Sequence, residues 1–494
     1  MWTKDSLKDV IKEKLKDHLF VVISNREPYS HIHSENKIKC VRAVSGAVTP
    51  LDYIMQVTKG VWIANGSGDA DREVVDKNDE IMVPPENPRF TLKRIWLSKK
   101  ELDCYYDGFS NGTLWPLCHL AHIRPNFNHG EWECYKKVNE KFAEAILEKA
   151  GTSKAFIWIQ DYHFALVAKY LKAKRPDLVV AQFWHTPWPA AEIFRICPWK
   201  KEILEGLLAN DLLGFHLGYY CTNFFNSIAK ELEAKVDHER STVSYKDHTT
   251  IVKAFPIGID YELINSLAGK SRKTRQKLTE KYISGDYKYL CLSVERVDYI
   301  KGTIERLKAI DRFLEKYPEY QKKFVYLGIA PHSRMRIPMY QNLLKDIKNL
   351  VEKINWKYYS DSWYPISFTD DIFSIEELIP FYKNADICMV NSLDDGMNIV
   401  AKEFIAAADR EKGMLILSHF TGTARELSDA VLVNPYDVEQ MADAIKNALE
   451  MPAKERIERM GKMKEIVKDK NVYRWASKFI LELSSLKIPP VLPK

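Results

Sequence analysis

No run of apolar residues in this 494-residue chain approaches the ~18 needed to cross a membrane as a helix. The opening segment, MWTKDSLKDVIKEKLKDHL, is charged and helix-periodic and lacks the uninterrupted apolar core of a secretory signal. Both absences point to a soluble, cytoplasmic protein without a membrane partner. The eight cysteines (Cys40, Cys104, Cys118, Cys134, Cys197, Cys221, Cys291 and Cys388) include no CxxC pair and follow no regular spacing. Neither a zinc site nor a disulfide framework is indicated, and reduced thiols are expected. Cys291 and Cys388 lie inside apolar runs and read as small core residues. No GxGxxG follows any strand, which argues against a dinucleotide oxidoreductase. The net charge of +6 is mild for this length, and lysines alternate with acidic residues instead of clustering. That pattern excludes a nucleic-acid footprint but suits anionic small molecules.

Hydrophobic residues make up 46% and charged residues 28%, a globular and not a disordered composition. The length implies two domains of about 200–250 residues each. Short apolar runs alternate with longer amphipathic segments: LFVVIS (19–24), GVWIA (60–64), RFTLKRIWL (89–97), AFIWI (155–159), VVAQFW (179–184) and LLGFH (212–216). YKYLCLSV (287–294), KFVYLGIA (323–330), ADICMV (385–390), GMLILS (413–418) and AVLV (430–433) repeat the rhythm. Helices are expected from Phe164, around Lys200–Ala209, near Tyr219, over Thr303–Tyr317, up to Asn355 and from Ile399. Continuous apolar strands separated by helices predict an α/β fold with parallel sheets covered on both faces. Pro256 and Gly258 punctuate a turn that divides an N-terminal domain, 1–257, from a C-terminal one, 258–473. The tail, about 474–494, is expected to pack back on the first domain.

Ligands of doubly wound sheets bind beyond the carboxyl ends of the strands, so motifs placed there carry the most weight. In NSLDDGMNIVAKEF (391–404), Gly396 allows a tight turn and Asp395 stands at its mouth. The backbone N–H groups of Met397, Asn398 and Ile399 then form a helix N-terminus suited to phosphate, with Glu403 one turn on. In SVERVDYIKG (293–302), Arg296 and Lys301 could neutralise a diphosphate; the plainer reading pairs them with Glu295 and Asp298. In WIQDYHFAL, Asp161 and His163 could orient hydroxyls or shuttle a proton; the plainer reading makes Asp161 a helix cap. His185 follows a strand in QFWHTPWP. Arg26 in SNREPY and Arg334 in APHSR could grip an acceptor phosphate by paired hydrogen bonds. Taken singly these signals are modest, but all follow an apolar strand.

The ordered motifs SNR, YYDGFSNGTLWP, DYHFAL, HTPWP, PIGID, SVERVDYIKG, APHSR and DDGMNIVAKEF, from about Val21 to Phe404, resemble the trehalose-6-phosphate synthase family of glycosyltransferases. The resemblance implies a GT-B architecture, two facing Rossmann-like domains with the donor bound mainly by the second. It also implies retaining transfer with no metal ion and no cofactor. By motif it casts Arg296 and Lys301 as diphosphate ligands, and Asp395 as donor-sugar ligand beside Gly396, Met397, Asn398 and Ile399. Glu403 is cast as ribose ligand, and His185 as a contact of the donor sugar near the reacting carbon. Arg26, Tyr106, Trp115, Asp161 and Arg334 resemble the acceptor set. Catalytic weight thus falls on His185, Arg296, Lys301 and Asp161.

Two departures stand out. VSGAVTP carries one glycine, Gly46, where the family has a Gly-Gly loop over the donor, and WIANGSGDAD carries Asn65 where a second tryptophan is common. The expectation is glucose transfer from a nucleotide-glucose, UDP-glucose first, to glucose 6-phosphate. Glycerol 3-phosphate or a cyclitol phosphate as acceptor, and a non-catalytic sugar-phosphate sensor, stay open. So do a guanosine or adenosine donor and assembly into a homo-oligomer.

Overall fold

Two sets of apolar strands build two separate sheets. The computed structural model describes residues 2–15, 18–35, 37–42, 48–271, 278–283, 286–360, 363–409 and 411–486. The chain divides into two compact units, Met1–Pro256 with Val472–Lys494, and Ile257–Asn471.

The first unit holds β1 (Leu19–Arg26), β2 (Tyr29–Ser34), β3 (Lys37–Arg42), β4 (Val61–Asn65), β5 (Glu80–Val83) and β6 (Phe90–Ile95). It continues with β7 (Ala155–Gln160), β8 (Val179–Phe183), β9 (Leu212–Phe215), β10 (Lys235–Asp237), β11 (Thr242–Tyr245) and β12 (His248–Ala254). One sheet runs β10-β11-β12-β9-β8-β7-β1-β4-β6-β5, and β2 pairs separately with β3. Its seven central strands, β12 through β6, are parallel. Every residue of β4, β7, β8 and β9 is buried, as strands covered on both faces require. The antiparallel edges β5, β10 and β11 and the β2–β3 hairpin escape an apolar-run reading because their strands are short and half exposed. The helix expected from Phe164 begins at Val167, after a single 3-10 turn at Tyr162–Phe164.

The second unit holds β13 (Tyr289–Val294), β14 (Phe324–Ile329), β15 (Ile366–Thr369), β16 (Ile387–Val390), β17 (Met414–Ser418) and β18 (Val431–Val433). Their order is β15-β14-β13-β16-β17-β18, all parallel. Numbered within the unit this is 3-2-1-4-5-6, the doubly wound Rossmann-like order, and the parallel core of the first sheet has the same pattern. In each sheet the order reverses beside the first strand, between β1 and β7 and between β13 and β16. The α/β, GT-B class expected from the sequence stands.

Packing explains the chain's crossings. A side chain at Gly258 would strike the Lys470 carbonyl at 2.1 Å, so the start and end of the second unit run in contact and only glycine fits. From there the helix Val472–Ser485 packs into the first unit, stacking Phe479 on Trp158 with ring centroids 4.4 Å apart. Burying a side chain of this size contributes about 1.5–3 kcal/mol. The helix Lys4–Leu15 covers the same helix through Leu7, Ile11 and Leu15. Among the described residues no helix is long and apolar enough to cross a membrane.

The cysteine reading needs a correction. Cys104 and Cys134 form a disulfide across 30 residues of sequence. The reason is tertiary: the helical segment Leu102–Leu114 packs against the helix His129–Ala150, a contact that irregular spacing does not reveal. Cys291 and Cys388 are core residues, both fully buried. Thiol titration of the unfolded, unreduced protein should find six thiols, and eight after reduction. Eight thiols before reduction would show that the pair is a dithiol.

Candidate active site

In the second unit, the loop after β13 carries the expected cations. Asp298 is fully buried, and its Oδ2 accepts from Arg296 Nε at 3.2 Å and Nη2 at 3.1 Å. The same oxygen accepts from Arg334 Nη1 at 3.0 Å. Arg334 follows β14 at a left-handed φ of 53°, and its Nη1 also donates to the Tyr340 hydroxyl at 2.8 Å. Lys301 instead reaches across to the loop after β16, where its Nζ lies 2.6 Å from Asp395 Oδ2. The plainer pairing of Arg296 and Lys301 with Glu295 and Asp298 is therefore half right. Glu295 is taken by Arg306, whose Nη1 and Nη2 donate to its two oxygens at 2.7 and 2.8 Å.

Gly302 makes this crossing feasible. It sits at φ 66°, ψ 32°, and a side chain there would meet the Asn391 carbonyl at 2.5 Å. The two loops thus touch through backbone, and Lys301 and Asp395 meet at the point where the strand order reverses.

The turn Asp395–Asn398 opens the helix Ile399–Ala407. Asp395 Oδ2 also accepts from Asn398 Nδ2 at 3.0 Å and Ser392 Oγ at 3.3 Å. Asn398 caps the helix by accepting from Ala401 N at 3.2 Å. One expected phosphate donor is lost: the Asn398 N–H donates to Thr423 Oγ1 at 3.0 Å. A hydroxyl delivered from a distant loop is invisible to motif reading. Among the described residues the N–H groups of Met397 and Ile399 have no partner. Glu403, one turn in, takes a hydrogen bond from the Tyr382 hydroxyl at 3.1 Å, and burial pushes its carboxyl up to about 7.

In the first unit, the remaining candidates stand at the carboxyl ends of adjacent strands. Arg26 ends β1 exposed, where Ser24 Oγ donates to its carbonyl at 2.7 Å. Asn65 ends β4 and accepts from Leu97 N at 3.3 Å. Asp161 follows β7 at φ 70°, a strained setting for a non-glycine residue. It is no side-chain cap: its Oδ1 accepts from the His185 N–H at 3.1 Å. His185 Nε2 is 3.0 Å from Gln160 Oε1, which can only accept, so the proton lies on Nε2 and Nδ1 is left as an acceptor. Burial lowers the imidazole to about 3, keeping it uncharged near neutral pH. Tyr106 stacks on His163 with centroids 5.7 Å apart. Trp115 is buried and packs on His119 at 4.1 Å. Gly46 lies outside the described residues.

The structure brings Arg296, Lys301, Arg334 and Asp395 together in one unit, and Arg26, Asp161 and His185 onto one sheet edge in the other. Motif reading passed over Asp298 as a partner of two arginines, and over Arg306, Asn391, Gln160 and Thr423. Only Arg306 left a trace, a charge on the face of its helix that also carries Leu307, Ile310 and Leu314.

The chain matches glycosyltransferase family 20 over residues 18–485. It is 36% identical over 488 residues to a trehalose-6-phosphate synthase of Mycobacterium marinum, covering 97% of this chain and 96% of that one. It is 34% identical over 470 residues to alpha,alpha-trehalose-phosphate synthase [UDP-forming] A of Dictyostelium discoideum, covering 94% of this chain but only 62% of the length of that relative. An E. coli structure bound with UDP-2-fluoro glucose superposes with a TM-score of 0.84 at 30% identity, covering 95% of this chain and 99% of that one. A UDP-forming alpha,alpha-trehalose-phosphate synthase of Burkholderia xenovorans in complex with glucose-6-phosphate gives 0.83 at 30% identity, covering 94% and 99%. With nearly its whole length matched, and with the expected cations and carboxylates grouped at the switch points of two Rossmann-like sheets, the chain belongs to glycosyltransferase family 20.

Proposed function

We propose that this chain is a retaining glucosyltransferase that moves glucose from UDP-glucose to glucose 6-phosphate, giving trehalose 6-phosphate and UDP. The observation that carries the reading is the cluster of Arg296, Lys301 and Arg334 with Asp395 around the switch point of the second sheet. Two arginines joined on Asp298, and a lysine at the turn that opens a helix, suit a diphosphate and a phosphate; Asp395 suits sugar hydroxyls. The relatives' UDP-forming activity and the neighbours' UDP-sugar analogue and glucose-6-phosphate support the same substrates.

In the proposed reaction the acceptor's anomeric hydroxyl attacks the donor C1 on the face that UDP leaves. The C1–O bond to the diphosphate breaks, the new C1–O bond forms, and the hydroxyl proton passes to a leaving phosphate oxygen. Configuration is retained. Negative charge grows on the diphosphate, and Arg296 and Lys301 are assigned to neutralise it, so no metal requirement is proposed. His185, uncharged and with Nδ1 as acceptor, is assigned to a donor-sugar hydroxyl, and Asp161 and Arg26 to the acceptor. Asn65, a buried polar residue in place of an aromatic one, favours a second reading in which the acceptor is glycerol 3-phosphate or a cyclitol phosphate.

UDP release from UDP-glucose, measured with and without glucose 6-phosphate and in the presence of a chelator, tests this. Release that depends on glucose 6-phosphate and yields a phosphorylated disaccharide is expected; release only with another phosphorylated acceptor would favour the second reading. Arg296→Ala should lower kcat by roughly 100-fold or more, as loss of a transition-state charge partner does. Near-normal turnover in that variant would remove Arg296 from its role.

Glu403, the proposed ribose ligand, supplies a pH test. Its carboxyl titrates near 4.5 when unfolded and about 7 when folded, so the folded chain holds the extra proton between these values. Its contribution to stability is full below about 4.5 and is lost as pH rises through about 7. Urea unfolding of the wild type and Glu403→Gln across pH 4.5–8 should show the wild type losing stability relative to the variant as pH rises. Parallel curves would show that the carboxyl titrates normally.

A further inference from the structure

We infer that Asp298 is the positioning residue that sets both phosphate-binding arginines, Arg296 and Arg334, and the turn that delivers Lys301; this rests on the function proposed above. Its side chain has no exposed surface, so it acts only through what it holds. Oδ2 accepts from Arg296 at 3.2 and 3.1 Å and from Arg334 at 3.0 Å. Oδ1 accepts from the Ile300 N–H at 3.3 Å, and the Asp298 carbonyl accepts from the Lys301 N–H at 3.0 Å. These two bonds close the 3-10 turn Tyr299–Lys301, from which Lys301 reaches Asp395.

The physical case is one of charge and entropy. Two guanidiniums drawn to one place repel each other, and a shared carboxylate offsets that repulsion while fixing their spacing. Arg296 is gripped along its Nε–Nη2 edge and still keeps 38% of its side-chain surface exposed, so it can meet a ligand without first being ordered. Arg334 keeps 7% exposed and is held from two sides, by Asp298 and by Tyr340. The strained φ of Arg334 fits a residue whose backbone is set by its side-chain partners. Among the described residues the neighbouring carboxylates have other partners: Glu295 is engaged by Arg306 and Thr303, and Asp395 by Lys301, Asn398 and Ser392.

The test is a pair of double-mutant cycles in the full-length protein. Calorimetry of UDP binding is read in the wild type, Asp298→Asn, Arg296→Ala and the double variant. Asp298→Asn and Arg296→Ala should each weaken UDP on the order of tenfold, and the double variant no more than the weaker single. Kinetics with glucose 6-phosphate are read in Asp298→Asn, Arg334→Ala and their double. Asp298→Asn should raise the acceptor KM and lower kcat; in the Arg334→Ala background it should leave KM unchanged and still lower kcat. A generally damaged fold would add to both backgrounds alike. Asp298→Glu, which keeps the charge but moves it by one methylene, should give the same couplings in milder form if Asp298→Asn does not fold. Additive effects in both cycles, or wild-type constants in either Asp298 variant, overturn the inference while wild-type turnover preserves the function. A wild type that binds no UDP removes both.

Discussion

The loops that bear the cations of the second unit depend on one buried guanidinium. Arg306 is fully enclosed, and its nitrogens donate to Ser293 Oγ and the Tyr326 hydroxyl, to both oxygens of Glu295, to the Lys301 carbonyl and to Asn391 Oδ1. These partners belong to β13, β14, the turn after β13 and the exit of β16. One side chain on the helix Thr303–Lys316 therefore ties together the strand ends on both sides of the switch point. Its charge is retained because Glu295 answers it, and the remaining N–H groups are satisfied by neutral acceptors. Breaking a buried pair of this kind costs about 3–5 kcal/mol, because the surviving partner is left charged and dry.

The first unit solves the same problem with the same chemistry. Glu27 follows β1 as Glu295 follows β13, and it too is held by a fully buried arginine, Arg94, at 2.8 Å. Arg94 also pairs with Asp71 at 2.8 Å and donates to the Tyr29 carbonyl at 3.0 Å, while Asp71 accepts from Ser67 and Gly68 N–H groups at 3.0 and 2.6 Å. The carboxylate beside Arg26 is thereby locked to the loop after β4. Burial, with Asp71 nearby, pushes the Glu27 carboxyl up to about 7 despite the Arg94 guanidinium. In both units the first strand ends in an acid–arginine anchor, and the arginine assigned to a ligand, Arg26 or Arg296, is its sequence neighbour.

This shared design explains what the sequence made legible. Most strands of each parallel core are mainly apolar, so their positions and the post-strand placement of Arg26, Asp161, His185, Arg296, Arg334 and Asp395 follow from local pattern, whereas β6, β12 and β15 carry polar residues between apolar ones. The partners do not. Asp298 looks like a surface acid until the β14 loop brings Arg334 to it, and Thr423 takes the Asn398 N–H from 25 residues away. The antiparallel edges were lost for a different reason: β10 and β11 are short and half exposed, so no continuous apolar run announces them. The Cys104–Cys134 bond likewise depends on the docking of two helical segments and on nothing in the spacing.

The pairing of charges bears on how the proposed chemistry is powered. In the second unit each cation assigned to a phosphate carries an internal counter-charge, Asp298 for the two arginines and Asp395 for Lys301. Holding them this way costs less than keeping bare cations in a partly dry loop, and it orders the side chains before any ligand arrives. The two arginines are thus aimed before a ligand arrives, whereas Lys301 is held by Asp395. Asp395 has a second demand on it, because the proposed sugar ligand is also the counter-ion of Lys301. Sugar hydroxyls that hydrogen-bond to Asp395 would draw it from Lys301 and release that ammonium toward the diphosphate. Donor binding and leaving-group stabilisation would then be coupled through a single 2.6 Å ion pair.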